Sequence, residues 1–76
     1  MTYTAANFVA SPAFMQIATE DAIAQVAKTN GRSVELTAKA FALQVPAVVE
    51  KVAKLVAAAA EHCAKEANAG RLWGQS

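Results

Sequence analysis

The prolines and two of the three glycines stand between long stretches of helix-forming residues, and this spacing most constrains the fold. Alanine, the strongest helix former, fills 20 of the 76 positions. Ser11 and Pro12 form an N-cap followed by proline at the first helical position. Pro46 disfavours helical geometry at the residue before it, so one helix ends there and another begins. Because no strand-like alternation or hairpin turn competes, the sequence predicts an all-α fold.

These boundaries divide the chain, taken as one small domain over residues 1–76, into three predicted helices. Gly31 lies in the turn after the first helix, and Ser33 caps the second. Gly70 suits the left-handed residue that closes the third and longest helix. The helices are expected over residues 12–28, 34–44 and 46–69, with a short N-terminal arm over residues 1–10 and a C-terminal tail over residues 70–76.

The third helix separates apolar from polar side chains around its axis when about 100° is taken per residue. Its polar half carries charged residues in the favourable i,i+4 order, such as Glu50 with Lys54. One side of this helix is therefore expected to face a core or an interface, and the other to face water. The predicted apolar half contains Val45, Val48, Val49, Val52, Leu55, Val56, Ala59, Ala60, Cys63 and Ala67.

The second helix is apolar on two nearly opposite sides, which is typical of a helix sandwiched between other elements. One stripe contains Val34, Ala38, Phe41 and Val45, and the other contains Leu36, Ala40 and Leu43. The first helix repeats this arrangement mildly, because Phe14 and Ile17 are displaced from its main stripe. That main stripe contains Met15, Ala18, Ala22, Ile23 and Val26.

The length of the third helix bears on the oligomeric state. A compact chain of this size has a radius of gyration near 11 Å and a diameter of about 29 Å, whereas a 24-residue helix is about 36 Å long. Small chains bury only about 60% of their unfolded surface and gain much from association. The sequence therefore predicts a homodimer, with the third or second helix at the seam. The alternative is an elongated monomer in which the first two helices lie along the third.

Glu61, His62 and Cys63 form a cluster of reactive residue types, but adjacent residues on a helix point about 100° apart. The chain has one histidine and one cysteine, so neither a metal site nor a catalytic triad is expected. His62 has Glu66 one turn on as a partner, and Cys63 is expected to be a buried thiol. Since a Gly-rich phosphate loop is also lacking, the sequence predicts a non-enzymatic protein without metal or cofactor.

Composition excludes several further classes of protein. The chain is 55% hydrophobic and carries a formal net charge of +1, which argues against a disordered tail or a basic nucleic-acid arm. A single cysteine excludes an internal disulfide framework. The most apolar stretch is interrupted by charges, and the N-terminus lacks the basic and apolar regions of a signal peptide. A cytoplasmic protein without a membrane partner is expected.

Residues 36–52 have the pattern of a helix–turn–helix, which makes a dimeric DNA-binding regulator the alternative function. A DNA reader needs polar side chains at the start of its second helix, but here that helix begins with Pro46 and Ala47. The turn also lacks the usual glycine, and the phosphate-binding lysines are few. The candidate nucleic-acid contacts are Lys39, Lys51 and Lys54.

The function that the sequence favours is a small protein–protein interaction module, an adaptor, inhibitor or modulator of a larger cytoplasmic protein. Its composition fits an accessory protein of bacteria, plasmids or phages. Trp73 either anchors a partner or folds back on its own bundle, and the same alternatives hold for Tyr3 and Phe8 in the N-terminal arm. The candidate partner-binding residues are Phe14, Ile17, Leu36, Leu43, Leu72 and Trp73.

Overall fold

The computed structural model describes residues 2–70, of which 81% are helical. The predicted all-α class is confirmed, since these residues form four helices and no strand. The helices are α1 (Ala5–Val9), α2 (Pro12–Asn30), α3 (Val34–Ala42) and α4 (Pro46–Asn68). Two of the predicted partner-binding residues, Leu72 and Trp73, lie outside the described residues.

The starts of the three predicted helices are confirmed. The Ser11 hydroxyl accepts a hydrogen bond from the Phe14 N–H at 3.3 Å, and Pro12 is the first helical residue. The Ser33 hydroxyl accepts from the Leu36 N–H at 3.1 Å. Gly31 closes α2 in the left-handed conformation, with φ of 64°, which glycine adopts without a steric penalty.

The end of α3 differs from the prediction by two residues. Helix α3 stops at Ala42 because Gln44 takes a left-handed conformation with φ of 59°. The turn is closed by backbone hydrogen bonds from the Gln44 N–H to the Phe41 carbonyl and from the Val45 N–H to the Ala40 carbonyl, both 3.0 Å. The left-handed residue in a turn of this kind is usually glycine or asparagine, so the sequence pattern does not predict the turn at Gln44.

The N-terminal arm over residues 1–10 contains a fourth helix, α1, which the three predicted helices did not include. A five-residue helix is too short to be stable alone, and contacts with other elements hold it. Phe8 packs its ring against Phe14 of α2, with centroids 5.6 Å apart and a T-shaped geometry. Tyr3, just before α1, exchanges two hydrogen bonds with Asn68 at the end of α4, at 2.7 and 2.9 Å.

Helices α2 and α4 run antiparallel and form the main layer. At one end, the Lys51 ammonium of α4 donates a hydrogen bond to the Asn30 side chain at the end of α2, at 3.3 Å. At the other end, α1 connects the start of α2 to the end of α4 through Phe8 and Tyr3. Helix α3 packs on α2 and α4. The shared core consists of Ala18, Ala22, Ile23, Val26, Val52 and Val56.

The predicted stripe of α2 is confirmed. Four of its five residues are buried, and the fifth, Met15, packs against the core. The prediction for α4 needs a correction at Cys63, which is half-buried rather than central in the buried stripe. The buried line runs at i,i+4 spacing, and Cys63 points about 100° away from the buried Ala64. The buried residues of α4 are Val52, Val56, Ala60 and Ala64.

The described chain is elongated, measuring 39 × 20 × 16 Å with a radius of gyration of 13.7 Å. The longest dimension matches α4, whose length is about 35 Å. The buried apolar side chains are mostly small, since five of the nine are alanine. None of the described helices is long and apolar enough to cross a membrane.

Candidate interaction surfaces

Three large apolar side chains are the most exposed among the described residues, ahead of Val34 at 51%. Leu43 is 69% exposed, Ile17 is 67% exposed and Leu36 is 59% exposed. All three were predicted to bind a partner. They lie on two different surfaces, since Ile17 belongs to α2 and the two leucines flank the outer side of α3.

The first surface is a groove of about 650 Å³ between α1, α2 and α4, named here the α1–α2–α4 groove. Its floor along α4 is made of small side chains at i,i+4 spacing. Aromatic and aliphatic side chains from the other two helices and from Tyr3 form its walls. The lining residues are Tyr3, Asn7, Phe8, Ser11, Ala13, Phe14, Ile17, Ala18, Asp21, Ala59, Cys63 and Ala67.

The groove exists because α4 offers only small side chains along this side. Ala59, Cys63 and Ala67 fill too little space to reach across to the neighbouring helices. Phe14 is half-buried and contacts both the core and Phe8, so it supports the fold as well as the wall. Ile17 lies one turn further along α2, and its side chain is exposed.

The two ends of the groove are polar. At one end, Tyr3 is fixed by its hydrogen bonds to Asn68, and the Asn7 side chain accepts from the Thr4 N–H at 2.8 Å. At the other end, Asp21 accepts a hydrogen bond from the Gln25 amide at 2.7 Å. Among the lining residues Asp21 is the charged one, so the middle of the groove is neutral and apolar.

The second surface is the α3 ridge, defined by Leu36 and Leu43. Leu36 belongs to α3, and Leu43 is its C-cap residue, whose N–H still donates to the Lys39 carbonyl at 2.9 Å. At seven positions apart, the two side chains point to nearly the same side.

The opposite side of α3 packs inward, with Thr37 only 4% exposed and Phe41 against the core. Of the two predicted apolar stripes, the one opposite the ridge is covered only in its middle, where Ala38 and Phe41 pack against the core. Its ends stay exposed, with Val34 at 51% and Val45 at 39%.

The α3 ridge is held at both ends of its helix. Ser33 caps the start, where its carbonyl also accepts from the Thr37 hydroxyl at 3.0 Å. At the other end, the Gln44 side-chain amide donates to the Phe41 carbonyl at 3.3 Å. Because the helix is fixed before any partner arrives, little conformational entropy remains to be lost on binding.

Only two of the three lysines of the DNA-binding alternative line a common site. Lys51 and Lys54 border a shallow depression of about 250 Å³ between α2 and α4. Lys51 is also engaged with Asn30. Lys39 lies on α3 and does not line this depression.

The reactive residue types face different surroundings. His62 is largely exposed, with Nε2 4.0 Å from Oε1 of Glu66, as the i,i+4 spacing predicted. Cys63 faces the α1–α2–α4 groove. Glu20 and Asp21 are both exposed. Over residues 2–70, no group of three or more histidine, cysteine or acidic side chains is placed to hold a metal ion.

No family model, curated protein or solved structure matches the chain. The α1–α2–α4 groove and the α3 ridge are therefore the two features that point to a function.

Proposed function

We propose that the protein is a non-enzymatic protein–protein interaction module that inserts the α3 ridge into an apolar groove of a larger protein. The exposure of Leu36 and Leu43 on one side of a fixed helix is the observation that supports this proposal. Apolar anchors at i and i+7 are the pattern by which an amphipathic helix docks into a groove. Such a module acts as an adaptor, inhibitor or modulator of the protein that it binds.

The size of the expected binding energy supports this role. Burial of a leucine side chain contributes about 1.5–3 kcal/mol, so the two anchors supply several kcal/mol. Glu35 and Lys39 are exposed on the same helix and place one charge of each sign beside the ridge. The expected partner surface is therefore an apolar groove with a mixed polar rim.

We also propose that the module works as a homodimer in the cytoplasm, as an accessory protein of a bacterium, plasmid or phage. The alanine-rich core supports the dimer, because a small core leaves stability to be gained by association. We propose no catalytic activity for the module, because the side chains of His62 and Cys63 face different surroundings.

Matched variants test the function of the α3 ridge. Proteins captured from cells by the wild type are purified and titrated against the wild type, the double variant Leu36→Ser/Leu43→Ser and the control Val9→Ser, which changes an exposed apolar residue outside both surfaces. We expect the double variant to weaken the Kd by at least 100-fold, which corresponds to about 2.7 kcal/mol. We expect the control to stay within about threefold of the wild type, a difference of less than 1 kcal/mol.

Two outcomes would overturn the proposal. One is a captured protein whose Kd is the same for the wild type and the double variant. The other is tight binding to random duplex DNA whose affinity falls steeply with salt, which is the behaviour of the DNA-binding alternative.

A further inference from the structure

We infer that the α1–α2–α4 groove is the surface on which a second copy of the chain packs, with Ile17 of each protomer inserted into the groove of the other. The inference names the seam of the homodimer included in the proposed function. It stands on different residues from the α3 ridge, so each can fail without the other.

The groove and Ile17 are complementary parts of one surface. Ile17 projects from α2 at the edge of the groove, and the floor beside it is made of Ala59, Cys63 and Ala67. A two-fold axis through this surface brings each isoleucine to the partner's floor and uses both copies of the groove. Such an interface is closed and self-complementary, which is the commonest arrangement of homo-oligomers.

The polar ends of the groove fit the same symmetry. A two-fold axis near the middle reverses the groove, so Asp21 of one protomer comes opposite the Tyr3 end of the other. The Tyr3 side chain is exposed and carries a hydroxyl donor, whereas the Asp21 carboxylate is an acceptor. Because the middle of the groove is uncharged, two identical surfaces meet there without like charges in contact.

The size of the surface and the thinness of the core favour a second copy as the occupant. The widest lateral face of a protomer measuring 39 × 20 × 16 Å is comparable to the area that each partner contributes to a standard interface, about 800 Å². The dimer would therefore bury most of this face and not the groove alone. Val52 is the largest side chain that is fully buried within one chain. Association through the groove would add Ile17 and the aromatic walls to the buried apolar surface.

A pair of equally exposed residues tests this seam. Ile17→Lys and Leu43→Lys each place a charge on a side chain that is about two-thirds exposed in the single chain. Analytical ultracentrifugation is expected to give a dimer, twice 7.9 kDa, for the wild type and for Leu43→Lys. Ile17→Lys is expected to be a monomer with an unchanged circular dichroism spectrum. If this variant does not fold, Ile17→Ser is measured in its place, with the same expected result.

The native thiol reports on the same surface without any substitution. Cys63 lines the groove, so its reaction with a thiol reagent should slow at least tenfold as protein concentration rises through the dimer Kd. In Ile17→Lys the rate should stay fast at every concentration.

Three results would overturn the inference: a wild type that is monomeric at millimolar concentration, a dimer lost with Leu43→Lys but kept with Ile17→Lys, or a dimer whose Cys63 reacts as fast as in the monomer. None of these depends on the partner titration, so failure of this seam is distinguishable from failure of the α3 ridge.

Discussion

The α1–α2–α4 groove and the α3 ridge expose apolar surface in opposite ways. The ridge is convex and comes from α3 and its C-cap residue, so its two leucines share a side wherever that helix packs. The groove is concave and depends on three helices and on Tyr3, which meet only in the folded chain. Local periodicity therefore identifies a ridge, whereas a groove appears only with tertiary structure.

The first prediction asks whether the ridge contributes to the fold at all. Val52→Ala should lower the free energy of unfolding by about 2 kcal/mol, because it leaves a cavity at a buried position. Leu43→Ala removes more atoms but should change the free energy of unfolding by less than about 0.5 kcal/mol, since the side chain is exposed. Urea denaturation measures both. If Leu43→Ala instead lowered the free energy of unfolding as much as Val52→Ala does, the ridge would be part of the folded core and not a free surface.

The second prediction separates the groove from the ridge. Asn68→Ala removes the two hydrogen bonds that hold Tyr3 to α4 and should cost about 1 kcal/mol. Amide hydrogen exchange should accelerate in α1, at one end of the groove, while α3 keeps its protection. Equal acceleration in both helices would show that the groove and the ridge belong to one cooperative unit.

The groove also marks the limit of what the sequence could predict. The helix starts at Pro12 and Pro46 and the buried side of α2 follow from capping and periodicity, and the structure confirms them. Helix α1 was missed because five residues carry too little local signal, and its stability comes from Phe8 against Phe14. Cys63 was placed in the core because the apolar half of α4 is wide, and only packing decides which residues within it are covered.

The third prediction concerns the attachment of the ridge and has the smallest effect. Gln44 holds a left-handed conformation that is unfavourable for residues other than glycine, asparagine and aspartate. In Gln44→Gly the backbone strain is relieved, and this gain should exceed the cost of the added entropy of glycine in the unfolded chain. The free energy of unfolding should therefore rise by about 0.5 kcal/mol. Thermal unfolding measures this, with Gln25→Gly inside α2 as a destabilising control. A loss of stability at Gln44 would mean that its side-chain bond to Phe41 outweighs the backbone strain.

The bonds between Tyr3 and Asn68 join positions 65 residues apart and bring the two ends of the described chain to one pole of the molecule. A fluorophore attached at Thr2 or at Gly70 would therefore lie near that pole. A short peptide linking these two residues would close the described part of the chain into a ring, in which new termini could be opened in the exposed turn at Gly31.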